Sequence, residues 1–358
     1  SGWASAAGTP PQKPFECFFA WNLPDDADGL RRAAALGVTD GTIRIENPEQ
    51  ILRAQACGIR SYSVILPLEP LWREFGDGGP APWQKLSPEE EQLRQELHRS
   101  PQGQANRAAH EHHFGGEPPL DADGVFRPDV LDSPILCLSD PRTLAAMKKR
   151  IDRDAAVAAL GGVCFDYVGY QNYHDCRCDL CTKLYREYLV RNHLGDSPEN
   201  RDRFFRRRLI EFNLELDRYA RTLRPDWKTA AHLYPVFTPD VLYGKALTFD
   251  FTGETAAWFF PWPEDKIRRY AAAIAATPHG VPFLGYYDSV KRPEFPYKSP
   301  PRLERELAAI AQSGAKSLMM YDFMDVVGNA EVCAVFADYT TPRTDAIQAR
   351  GTPAAGTN

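Results

Sequence analysis

Between Gly161 and Cys181 the chain reads GGVCFDYVGYQNYHDCRCDLC, an apolar run that ends on a carboxylate, Asp166, followed by three cysteines in the pattern C-x-C-x-x-C. Such short spacings bring three sulfurs to one centre while straining most disulfides among them, so Cys176, Cys178 and Cys181 point to a tetrahedral thiolate site with zinc as its default metal. A fourth ligand is needed. Cys137, in PILCLSDP, lies just before the capped segment that leads into the Asp166 strand, which puts it on the same face; His174, Asp175 or Asp179 are the alternatives. Four thiolates leave no open coordination position, so the zinc is expected to be structural. The other cysteines, Cys17, Cys57, Cys164 and Cys333, read as small buried thiols.

Carboxylates recur at the ends of apolar runs: Glu46, Asp166, Asp250 with nearby Glu254, Asp288, and Asp322 with Asp325. Singly, such an acid more often caps a helix or pairs with an arginine. Together they suit glycoside hydrolysis, which needs one carboxyl to protonate the leaving oxygen and one to attack or to activate water. Asp166 is expected to be nucleophile or transition-state stabiliser, Asp250 its leading partner acid and Asp288 the next. Flat aromatic walls and amides suit sugar rings, and the expected substrate-binding set is Trp21, Glu46, Tyr170, Asn172, His232, Glu254, Trp258, Tyr287 and Asp322.

The elements that must position these groups alternate. Eight apolar runs (FECFFAW, DGTIRIE, IRSYSVILP, GGVCFDYVG, KTAAHLYP, ALTFDF, VPFLGYYD and KSLMMYDF) are mostly followed by helical segments, several opening on a cap and then proline, as at Asp140-Pro141, Ser197-Pro198 and Ser299-Pro300. Eight near-continuous apolar strands predict a closed (β/α)8 TIM barrel over residues 15–340, with a doubly wound open sheet as runner-up. No dinucleotide or P-loop glycine fingerprint follows the first strand. The connection from Pro67 to Asp140 is far longer than an ordinary βα loop, so it is expected to be an insertion covering the catalytic mouth. Residues 1–14 and 341–358 read as flexible ends.

Composition narrows the partners. The 358 residues are 43% hydrophobic and 25% charged, with net charge −6. The one basic stretch, RDRFFRRRLIEFN, reads as a solvated helix face, so carbohydrate rather than nucleic acid is the expected partner. No apolar run reaches membrane-spanning length. The small-residue-rich start would suit an exported protein, periplasmic or secreted, whose signal had been removed, and equally a trimmed chain. HEHH at 110–113 lacks the H-E-x-x-H spacing and reads as loop; were it an open metal site, metal-assisted hydrolysis or deacetylation would be the alternative chemistry. A non-catalytic carbohydrate-binding barrel is the other alternative.

Cys137, the strand ending on a carboxylate, and C-x-C-x-x-C before TKLYREYL resemble the metal site of family 42 β-galactosidases over roughly residues 135–190. That resemblance implies zinc on Cys137, Cys176, Cys178 and Cys181 beside an active site. The family ends this strand on Asn-Glu, whereas this chain reads Phe165-Asp166-Tyr167, so β-galactosidase activity does not follow. The aspartate resembles barrel glycosidases of the α-galactosidase and α-glucosidase kind. There such an aspartate is the nucleophile, and Asp250 resembles the acid/base position.

Overall fold

The computed structural model describes residues 13–76, 78–99, 133–233, 241–257, 262–288 and 298–342, without the side chains of 96–99 and 241–243. Eight parallel strands, β1 (Cys17–Ala20), β2 (Asp40–Thr42), β3 (Arg60–Ile65), β4 (Gly162–Phe165), β5 (Lys228–His232), β6 (Phe251–Ala257), β7 (Gly280–Gly285) and β8 (Ser317–Tyr321), pair in chain order. Phe19 of β1 faces Asp40 of β2 on one side and Met319 of β8 on the other, which closes the sheet and removes the open-sheet alternative. The chain is therefore a (β/α)8 TIM barrel. No described helix is long and apolar enough to cross a membrane.

Helices α1 (Ala27–Ala35), α2 (Pro48–Ala56), α3 (Glu69–Trp72), α4 (Pro88–Arg99), α5 (Pro141–Ala155), α6 (Asp179–Asn192), α7 (Pro198–Leu223), α8 (Val241–Ala246), α9 (Glu264–Ala275), α10 (Pro300–Ala311), α11 (Phe323–Val327) and α12 (Ala330–Tyr339) link or follow the strands. The cap-then-proline signals start helices as expected: Asp140, Ser197 and Ser299 each accept a hydrogen bond from a backbone N–H in the first turn. Alternate strand residues fill the barrel, where Phe19, Tyr62 and Phe251 meet with ring centroids 4.8, 5.6 and 6.5 Å apart. Asp40 sits below them, accepting from the Tyr62 hydroxyl at 2.7 Å and the Arg60 guanidinium at 3.2 Å. Burial and then the Asp40 charge push the neighbouring Cys17 thiol up to about 12, so it remains an inert filler.

Two strand boundaries differ from the sequence expectation. The strand after α8 is not ALTFDF but FTGETAA, beginning one residue after Asp250. The following run, richer in threonine, forms the ladder with β5 and β7. In addition, β2 spans only three residues, so Glu46 lies in the loop beyond its end.

The described arms of the insertion fold back on each other. Trp83 and Leu136 form an antiparallel bridge, and the Leu136 N–H donates to Pro67 O at 2.8 Å. Ser87 and Glu90 make a reciprocal capping box at the start of α4. The middle of the insertion, with HEHH, lies outside the described residues.

Candidate active site and metal centre

A cavity of ≈ 360 Å³ opens at the C-terminal end of the barrel, the end at which barrel enzymes place their chemistry. Its lining includes Trp21 and Asn22 after β1, Asp166 and Tyr167 after β4, His232 closing β5, Phe283 of β7 and Tyr321 closing β8. The His232 ring stacks on Phe283 at 4.1 Å and meets Trp21 edge-on at 5.9 Å, giving an aromatic floor.

Asp166 is positioned at several points. Its N–H donates to Ile65 O of β3, its Oδ1 accepts the Tyr167 N–H at 2.8 Å, and His232 Nδ1 lies 3.3 Å from the same oxygen. Both side-chain contacts fall on Oδ1, leaving Oδ2 for the cavity. Tyr167 turns the chain with φ of +57°, an uncommon backbone for an aromatic residue. The result is an oriented, part-exposed carboxylate backed by an imidazole.

The other expected site residues divide. Trp21 and His232 line the cavity. Glu46 also reaches it, with its side chain 75% exposed and 3.8 Å from Arg150. Asp322 accepts the side-chain amide of cavity-lining Asn22 at 3.2 Å and caps α11, while Tyr287 packs edge-on against Tyr321. Asp288 lies on the rim, where its N–H donates to Asp325 Oδ2 at 3.1 Å.

Four residues do not share this site. Asp250 precedes β6 and so sits at the opposite end of the barrel, bonded to Lys228 at 2.7 Å, Arg221 at 2.9 Å and the Thr229 N–H at 3.0 Å. Burial alone would raise its carboxyl, but these bonds and the two charges outweigh burial and hold it below the usual carboxylate range. Glu254 alternates to the outer face of β6, where its carboxylate lies over Gly244 of α8. Tyr170 turns to α7, donating its hydroxyl to Phe205 O and packing edge-on against Phe205. Asn172 is buried in the loop, where its side-chain oxygen accepts the N–H groups of His174 and Asp175 and its amide contacts Asp175 and Glu90. Asp250, Tyr170 and Asn172 are thus held by partners away from the mouth. Trp258 lies outside the described residues.

Cys137, Cys176, Cys178 and Cys181 converge, with all four sulfurs within 4.8 Å of one another and none in a disulfide. Cys137 Sγ is 3.6 Å from Cys178 and 3.5 Å from Cys181. Thiolates about 2.3 Å from a tetrahedral metal stand roughly 3.8 Å apart, so the donor set fits a closed metal site. Hydrogen bonds within the cluster pull Cys178 down and push Cys176 up, the pattern of thiols too close to ionise together without a cation.

Gln84 joins this cluster's two sides. Its amide donates to Gly169 O at 2.8 Å and to Leu136 O at 3.3 Å, and its carbonyl accepts the Gln171 N–H at 2.8 Å. The loop after β4 is thus fastened to the insertion. No spacing marks Gln84 in the sequence, and none marks the cavity residues Arg44, Arg150 and Phe283. Tyr321 was legible only as the neighbour of Asp322.

No family model matches the chain, and a comparison with curated protein sequences finds no match. Among solved structures it is similar to the PgaB (BpsB) glycoside hydrolase domain from Bordetella bronchiseptica, at 14% identity and TM-score 0.56 over 91% of this chain and 99% of that one. It is also similar to α-L-fucosidase isoenzyme 2 from Paenibacillus thiaminolyticus, at 12% identity and TM-score 0.52 over 92% and 49%. β-Galactosidase from the psychrophilic Marinomonas ef1 matches at 8% identity and TM-score 0.51 over 89% and 58%. The chain spans about half the length of these last two proteins, and the likeness to all three is one of fold.

Proposed function

We propose that the chain is a glycoside hydrolase acting on a carbohydrate substrate at the C-terminal mouth of the barrel. The observation that carries this reading is Asp166, fixed through Oδ1 beside His232 above an aromatic floor, with its second oxygen left for a reacting centre. A sugar ring laid on Trp21 and Phe283 would present its anomeric carbon to that oxygen, which would attack it or stabilise the oxocarbenium-like transition state. Asp288 on the β7 rim is the partner acid in this reading, donating a proton to the leaving oxygen. The fold neighbours support the class, since they are a glycoside hydrolase domain, a fucosidase and a galactosidase.

Zinc is the metal we assign to the four cysteines, in a structural role, because an all-thiolate donor set favours it and leaves no position for water. It would hold the loop after β4 and the insertion together, and with them the backbone that carries Asp166.

The test is turnover of activated aryl glycosides. Asp166→Asn keeps the shape of the side chain and removes its charge, so kcat should fall by about three or more orders of magnitude with the fold intact. Near-parental turnover in that variant would make Asp166 a structural residue and end this reading.

A further inference from the structure

The cavity is not confined to the barrel axis. β2 stops at Thr42, and the lining continues past Thr42 and Ser63 to Arg150 on α5. Arg150 is built in rather than loose. Its Nε donates to Asp154 Oδ1 at 3.1 Å, the Asp154 side chain is fully buried, and the Arg150 side chain is 23% exposed. Among the described residues neither terminal nitrogen of Arg150 makes a hydrogen bond; Glu46 Oε1 stands 3.8 Å from Nη2. Arg44 lines the same arm.

A neutral glycan gives no reason for this arrangement. A guanidinium anchored through Nε by a buried carboxylate presents its two terminal amines as a fixed fork, the geometry that recognises a carboxylate or sulfate through paired hydrogen bonds. Partial shielding strengthens the pairing relative to open solvent. Glu46 is the weak competitor: exposed, on a loop, and at ion-pair range but beyond hydrogen-bonding distance, it can be displaced by an anion that makes shorter contacts.

We propose that this arm is a subsite for an anionic sugar, so that the substrate of the proposed hydrolase is an acidic glycan bearing carboxylate or sulfate groups. The inference rests on the glycosidase reading for its word "substrate", but binding at Arg150 can be measured without turnover. NMR titration of the full chain with D-glucuronate, glucose 6-sulfate and D-glucose separates the two anionic groups from the neutral ring. At least one acidic sugar should bind about tenfold or more tighter than glucose, the stronger of the two identifying the group. Arg150→Gln should abolish that preference, whereas Asp166→Asn should keep it while losing turnover. Since Arg150→Gln leaves Asp154 buried without its main partner and could fail to fold, Glu46→Gln gives an independent reading. It removes the competitor and should raise the ratio of acidic to neutral affinity severalfold. Equal binding of all three sugars by the parent chain, or an acidic preference that survives Arg150→Gln, or a ratio that Glu46→Gln leaves unmoved, overturns the proposal. An acidic preference in a chain that hydrolyses no glycoside would instead leave the subsite standing and remove the enzyme.

Discussion

Lys298 is the most consequential charge away from the mouth. Its ammonium donates to Glu306 Oε2 and to Gly285 O, both at 2.7 Å, with the two side chains only 4% and 0% exposed. Burial pushes the ammonium down and Glu306 pushes it back. Lys298→Met should strand the Gly285 carbonyl and leave the buried Glu306 with Arg302 alone. Breaking a buried pair from one side costs about 3–5 kcal/mol. Arg302 still reaches Glu306 at 2.8 Å, so the low end, about 3 kcal/mol, is expected. With a urea slope of about 3 kcal/mol/M the midpoint should drop by about 1 M, followed by circular dichroism. Gly285 ends β7 three residues before Asp288, so turnover should fall as well. Adding Glu306→Gln removes the half-paired buried charge and should recover part of the midpoint. A Lys298→Met midpoint within about 0.2 M of the parent, or a double variant that loses a further 1 M, would refute the reasoning.

Elemental analysis should find one zinc per chain, and Cys178→Ser should lower both metal content and stability; absence of stoichiometric metal with these thiols in disulfides would remove the assignment. Asp250→Asn should destabilise the barrel without a specific loss of catalysis, which kcat measured well below the melting point will check. The Asp250 carboxyl titrates lower folded than unfolded, so its stabilisation is complete above the unfolded value of about 3.9 and is lost as pH falls through the folded one. Asp250→Asn should therefore flatten the acid limb of stability, and an unchanged limb would count against the network.

Seven of the eight strands were legible because parallel strands buried on both faces read as apolar runs, and their order needed no distances once the count matched a closed barrel. The cysteines were legible for a similar reason, since thiol spacing alone restricts the chemistry. Asp166 and His232 followed from strand ends that the sequence located correctly. Asp250 did not, because ALTFDF and FTGETAA are both plausible strands, and choosing the first carried an acid from the base of the barrel to its rim. Glu254 moved with the same boundary: expected just beyond ALTFDF, it lies inside FTGETAA at a position whose side chain turns outward. Tyr170 and Asn172 sit in the right loop, but orientation inside a loop depends on partners, here Phe205 and Glu90, that no local pattern announces. Arg150 looks like any helical pair four residues from an acid, and no local pattern announces that it reaches the cavity.

The cysteine cluster has a further consequence for the unfolded chain. Cys137 and Cys178 are 41 positions apart, and a metal held by both turns the chain between them into a ring containing α5 and β4. Closing a ring of that size lowers the entropy of the disordered state by an amount worth about 4 kcal/mol on the polymer estimate used for cross-links. Arg150, Asp154 and Asp166 all lie within it. A denatured chain that kept its metal would hold its acid-binding arginine and its candidate nucleophile on one short tether, and refolding would begin with that part of the search already done.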